Sequence, residues 1–145
     1  MEHGYITIKQ AVELASEAWG AELKAIPGKR IMFRGVDRNG ESITLLTPQS
    51  ALQPKGFFWV DITEVQYDVM NETDRAAIFF RFDYFAFALV RWSDLKEYLV
   101  KDCIYYTDQE KNHWKLYING KTIKVNGNKR ELPIQLHKYS KNNCI

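Results

Sequence analysis

Asp61 stands near the end of a run of aromatic and branched residues, FFWVDI (57–62), and the helix-like stretch TEVQYDVM follows it. A carboxylate at the end of a buried strand is a hard oxygen ligand for a divalent cation. The same pattern describes an ordinary strand-to-helix junction, in which Thr63 and Gln66 form a capping box and Asp61 is solvated or paired with Arg81 or Arg91. The other residues with chemistry to offer are scattered. His3, His113 and His137 are isolated, and His113, beside Trp114 at a strand start, reads as a hydrogen-bonded structural residue. Cys103 and His113 supply a thiol and an imidazole, but nothing in their spacing joins them. The chain has no GxxxxGK(S/T), GxGxxG or GxSxG segment, so phosphate loops and the hydrolase elbow are excluded. Tyr84, Phe85, Phe87 and the Tyr105-Tyr106 pair could stack on bases, although aromatics at alternating strand positions are more often core.

The elements that would position these groups follow from periodicity. Thr7 and Gln10 have capping-box spacing, so a helix is expected from Ile8. Ile8, Ala11, Val12, Ala15, Trp19 and Leu23 make its apolar face, and Pro27-Gly28 is expected to end it. In KRIMFRGVDRNGESITLL, two β-type runs flank Asn39-Gly40, a strong hairpin signal. TPQSALQPKG reads as a loop. FFWVDI, apolar at nearly every position, reads as a strand covered on both faces. A short helix over TEVQYDVMNETD comes next, then the strands AAIFFRF and FAFALVRW. SDLKEYLV is expected to be helical with Ser93 as N-cap. HWKLYINGKTIKV is a hairpin about Asn119-Gly120, and ELPIQLHKY is a last strand-like piece. ITIKQAVELA is faintly like the first helix of a helix-turn-helix, but a hairpin stands where the recognition helix would be.

The 145 residues, 46% hydrophobic and 26% charged, suit one globular domain with one core. The expected division is a core over about 7–99, a basic β-rich extension over 101–139 and a flexible tail at 140–145. No apolar run approaches the roughly 20 residues of a membrane span, and the N-terminus has no secretion-signal pattern. Cys103 and Cys144 stand outside any CxxC or Cys/His cluster, which fits a reducing cytoplasm. Residues 1–100 hold 11 Lys and Arg against 14 Asp and Glu, a net of −3, whereas residues 101–145 hold 9 against 4, a net of +5. The basic third suits a polyanion surface and also a lysine-protected strand edge. Lys115, Lys121, Lys124, Lys129 and Arg130 are its candidate nucleic-acid contacts.

The order αβββαβ, with an acid at the end of the third strand and the texture WVDITEVQYDVM…AAIFFRFDYFAFALVRWSDLKEYL, resembles the PD-(D/E)XK (restriction-endonuclease-like) phosphodiesterase superfamily over residues 7–99. The resemblance implies an α/β (α+β) fold with a mixed central sheet flanked by helices, here with a C-terminal β-hairpin extension. It also implies two carboxylates on neighbouring strands holding Mg²⁺, which activates water and stabilises charge on the phosphate. Asp61 takes the second-carboxylate position and Asp37 or Glu41 the first, and Glu13 or Glu17 supplies the acid some members add. Gln66 and Tyr67 fall where some relatives carry the same residue types. Two residues after Asp61, where the motif has lysine, stands Thr63, which argues against full activity; Lys55 is the nearest basic replacement. Two functions are therefore expected. One is a nucleic-acid-acting protein, either a Mg²⁺-dependent nuclease or a degraded relative that still binds DNA. The other is a non-enzymatic protein-binding inhibitor or accessory factor of a phage or mobile element.

Overall fold

Thr7 starts the first helix as its spacing indicates. In the computed structural model, which describes residues 3–106 and 111–140, α1 spans Ile8–Trp19. The Thr7 hydroxyl accepts the Gln10 N–H and the Gln10 side chain accepts the Thr7 N–H, satisfying two donors that a helix start leaves unpaired. The helix ends at Gly20 rather than at Pro27-Gly28. Gly20 takes a left-handed φ of 61°, which costs glycine little, and the Arg38 guanidinium donates to the last carbonyls, Glu17, Ala18 and Trp19. Leu23 therefore lies beyond the helix, though it packs against the same apolar cluster.

The remaining elements in chain order are β1 (Lys24–Ala25), β2 (Met32–Val36), β3 (Ser42–Leu46), β4 (Gln49–Ser50), β5 (Phe58–Thr63), α2 (Glu64–Met70), β6 (Arg75–Phe82), β7 (Ala86–Arg91), α3 (Trp92–Leu95), β8 (His113–Ile118), β9 (Thr122–Val125), β10 (Glu131–Pro133) and β11 (His137–Lys138). They build two sheets. Sheet A is mixed, in the order β1-β2-β3-β6-β7-β11, with β4 beside β6. β3 and then β4 run parallel to β6, and the other neighbours are antiparallel. Sheet B is antiparallel, in the order β10-β9-β8-β5. The fold is thus mixed α+β, with helices and a mixed sheet, as expected.

Alternation along the strands decides the layering. On β6, Ile78, Phe80 and Phe82 face one way and join Phe58, Val60, Ile62, Trp114, Leu116, Ile118, Ile123 and Val125 of sheet B in the larger apolar cluster. Phe79 faces the other way and packs with Leu45, Phe33 and Phe87 under Ala11 and Ala15 of α1. The result is three layers: α1, sheet A, sheet B. Arg81 shares the α1 side and is buried. Its guanidinium donates to the carbonyls of Thr47 and Ile6 and to the Gln49 side chain, which compensates the cost of hiding a charge.

Four sequence expectations are corrected here. The strand expected third in the central sheet, β5, belongs to sheet B. It is buried on one face only: Phe58, Val60 and Ile62 point inward while Trp59 and Asp61 are exposed, because no described element covers the outer face of that sheet. α3 begins at Trp92 with no side-chain cap, so Ser93 lies inside it. ELPIQLHKY splits, with β10 on the edge of sheet B and β11 on the edge of sheet A. Among the described residues no helix is long and apolar enough to cross a membrane. The expected tail at 140–145 and Cys144 fall almost wholly outside the described residues.

Candidate nucleic-acid interface

The carboxylates expected to share a cation are apart. Asp37 follows directly on β2 of sheet A, and its side chain is only 1% exposed. Its Oδ1 accepts the N–H groups of Asn39 and Glu41, and its Oδ2 is paired with the Arg75 guanidinium. The Glu41 N–H foremost, then Asn39 and Arg75, hold its pKa below the usual carboxylate range. Glu41 is exposed, 3.6 Å from Arg75. Glu13 and Glu17 are exposed on α1, and Lys55 is exposed in the loop before β5. Asp61 lies on the open face of the other sheet. Thr63 and Gln66 are used in the capping box of α2, and the Tyr67 ring packs against Trp92 and Trp114, 5.4 and 5.1 Å between centroids. Among the described residues no three His, Cys, Asp or Glu side chains come together as a metal site. The donor set that the motif implies does not fit Mg²⁺ as placed, since Asp37 is already saturated and its expected partner is on another sheet.

Neither arginine considered for Asp61 reaches it. Arg81 is buried as described, and Arg91 pairs with Asp94 at 3.2 Å. Instead, Asp61 Oδ1 accepts from the Trp59 indole Nε1 at 3.1 Å. The strand period of two puts both side chains on one face. Lys115 is directly opposite Asp61 in the β5–β8 register, yet its ammonium makes no ion pair there. It lies 4.8 Å from the ring centroids of both Trp59 and Tyr105.

These contacts belong to a continuous aromatic strip on the outer face of sheet B. Phe57 meets Tyr117 edge-on at 5.4 Å, and Tyr117 meets Trp59, its register partner, at 6.0 Å. Lys115 bridges Trp59 to Tyr105, and Tyr105 stacks on His113 at 5.7 Å. Trp59 is 39% exposed. The strip is anchored beneath. The Ser50 hydroxyl of β4 accepts the Trp59 N–H at 2.8 Å and donates to the Trp59 carbonyl at 2.6 Å. The Tyr105 hydroxyl is hydrogen-bonded to the Asn126 amide, and His113 Nδ1 faces the Lys111 carbonyl at 2.8 Å.

Of the basic candidates, Lys115 and Lys124 stand on the strip's face and the other three lie in turns. Lys124 on β9 is opposite both Tyr117 and Glu131 in register. Lys121 sits in the β8–β9 turn; Lys129 and Arg130 lie in the β9–β10 turn, with Arg130 4.7 Å above the Tyr98 ring. All but the half-buried Lys115 are exposed. Of the aromatics flagged for stacking, Tyr105 is on the strip and Tyr106 beside it is exposed. Phe87 is stacked between Phe79 and His137, and Tyr84 packs on His3. Phe57, Trp59 and Tyr117 were not singled out in the sequence. The signal was present: in FWVDIT the charge at Asp61 marks the outward phase, and Trp59 shares it.

The other chemical groups are committed elsewhere. Cys103 is buried, and burial followed by Asp102 pushes its thiol pKa up, the opposite of an activated nucleophile. A cavity of about 350 Å³ beside Trp19 is lined by Arg75, Arg91 and Lys96, but Arg75 is neutralised by Asp37 and Arg91 by Asp94. Comparison of the chain with protein-family models, with curated proteins and with solved structures finds no match.

Proposed function

We propose that this chain binds single-stranded nucleic acid on the outer face of sheet B and does so without cleaving it. The observation that carries the reading is the strip of Phe57, Tyr117, Trp59, Tyr105 and the intervening Lys115 on a face that no described element covers. Unpaired bases stack on such platforms, each worth about 1–3 kcal/mol, and flanking cations follow the backbone. Four-stranded sheets use two or three such rings to hold two or three bases. Lys115 presents no obstacle. An exposed cation–π contact is worth about 0.5–1 kcal/mol, less than the base stacking that replaces it, and the released ammonium is free to meet a phosphate. Binding is favoured over phosphodiester cleavage because the acids at 37 and 61 do not form one donor set.

The test is fluorescence anisotropy with a labelled oligonucleotide, single-stranded and then annealed to its complement, with Mg²⁺ and then Mn²⁺ added. The expected result is binding of the single strand over the duplex, weakening as salt rises, with the oligonucleotide intact. Metal-dependent cleavage lost in Asp61→Asn would restore the nuclease reading.

A protein partner is the second reading. It is favoured by the edge of β7, which pairs with β11 only at Ala86 and Phe87. Beyond that pair the edge borders a groove of about 280 Å³ lined by Leu89, Leu132 and Ile134, where a strand could be added.

A further inference from the structure

The aromatic strip has two ends, with Phe57 and Tyr117 at one and Tyr105 and His113 at the other. At the second end β5 finishes at Thr63, the register partner of His113. Thr63 there lines a cleft of about 270 Å³. Lys111, two residues before His113, lines it too, and its carbonyl faces His113 Nδ1 at 2.8 Å. Lys29 and Arg30, from the turn between β1 and β2, bring two more cations, over apolar contacts from Met32 and Val65. Among the described residues no Asp or Glu lines this cleft, and none of the three cations is in an ion pair. Glu64, next to Thr63, accepts the Asn112 amide at 2.7 Å. The cavity beside Trp19 differs, because its arginines are paired with Asp37 and Asp94. Like charges gathered in a cleft without counter-charges raise the local potential and concentrate anions.

We infer that this cleft takes the backbone phosphates of a strand that leaves the aromatic strip past Thr63. The inference rests on the proposed single-strand binding and extends its footprint beyond sheet B. Thr63 shares the outward phase of Trp59 and Asp61 on β5. It stands four residues beyond Trp59, about 13 Å along the strand, so a chain stacked on Trp59 and Tyr105 reaches the cleft within a few nucleotides. Asp61, between the two, repels phosphate. The rings therefore hold bases, and the anchor for the backbone at this end is the cleft. Its three cations come from positions some 80 residues apart in the chain, and none of them belongs to the basic C-terminal hairpins on which the charge asymmetry of the sequence draws attention.

The test measures binding of a thymidine dodecamer to the full chain by fluorescence anisotropy, over about 50–200 mM salt. A variant carrying Lys29→Gln, Arg30→Gln and Lys111→Gln loses two or three phosphate contacts. On a single strand each contributes about 0.7 to the slope of log affinity against log salt, so the slope is expected to flatten by about 1.4–2.1 and affinity at 0.1 M salt to fall roughly 20- to 100-fold. The charge-keeping variant with Lys29→Arg, Arg30→Lys and Lys111→Arg is expected to retain the wild-type slope. A matched control with Lys9→Gln, Lys24→Gln and Lys96→Gln, three cations exposed outside the cleft, is expected to move the slope by less than about 0.5. Trp59→Ala is expected to lower affinity with the slope unchanged, since stacking releases no counter-ions. Circular dichroism checks that each variant is folded. A slope that flattens no more in the cleft variant than in the control, while Trp59→Ala still weakens binding, overturns the cleft and leaves binding on the strip intact. If the dodecamer does not bind the wild-type chain, both readings fail.

Discussion

Ser50→Ala isolates the contact that joins the two sheets under the candidate interface. One buried hydroxyl serves both backbone groups of Trp59, at 2.8 and 2.6 Å, so Trp59 turns its N–H and C=O away from β8 and toward β4. The substitution leaves a donor and an acceptor without partners at a site where Ser50 is only 5% exposed. Each orphaned group costs about 1–3 kcal/mol. Water can reach part of this edge, so the combined loss is about 2–4 kcal/mol. For a chain of this size that is a fall in Tm of roughly 6–12 °C. Urea unfolding followed by circular dichroism measures it, and an unchanged m-value confirms that the same folded state is being compared. Ser42→Ala, at the exposed start of β3, serves as control, with an expected effect within about 0.5 kcal/mol. A loss at Ser50 no larger than at Ser42 would refute the account of how β5 is held.

Acid should unfold the chain through two carboxylates. Asp37 is held below the usual range by the N–H groups of Glu41 and Asn39 and by Arg75. Asp83 is also lowered: burial opposes this, but the N–H groups of Tyr84 and Gly4 and the His3 side chain outweigh it. A depressed folded pKa contributes stability that is full above the unfolded value and is lost as pH falls through the folded one. Tm is therefore expected to hold down to about pH 4 and to fall below it, less steeply in Asp37→Asn. A Tm flat to pH 3 contradicts this. Gly35→Ala should prevent folding or cost about 3 kcal/mol, because an added Cβ would sit 2.2 Å from the Glu22 carbonyl oxygen. Gly120→Ala, with open space around it, should change stability by less than about 0.5 kcal/mol in the same unfolding assay.

Local signals in the sequence were reliable where the chemistry is local. The capping boxes Thr7–Gln10 and Thr63–Gln66 both form, and the Asn39-Gly40 and Asn119-Gly120 turns both join antiparallel strands. What was not legible is which strands share a sheet. Phe58–Thr63 pairs with β8, about 50 to 60 residues later in the chain, and no local property of either segment specifies that partner. A strand expected to be covered on both faces gives Trp59 no separate role as a surface ring. Once one face is known to be open, the alternation of Phe58, Val60 and Ile62 against Trp59 and Asp61 follows directly. Asp37, expected as a metal-holding carboxylate, is instead taken up in a turn by the N–H groups of Asn39 and Glu41 and by Arg75. The Arg75 contact bridges 38 residues, again beyond what spacing can show.

The central claim is that nucleic acid lies on the outer face of sheet B, and the indole N–H signals of the four tryptophans test it most directly. Trp92 and Trp114 donate to the Asn71 side chain and the Val100 carbonyl from within the core, and Trp19 is the last residue of α1, on the far side of sheet A. Titration with a single-stranded heptanucleotide, followed by ¹H–¹⁵N correlation spectra, is expected to shift the Trp59 indole signal saturably while Trp92, Trp114 and Trp19 hold still. A Trp59 signal that stays in place while the oligonucleotide binds, or moves no more than that of Trp19, would contradict the account.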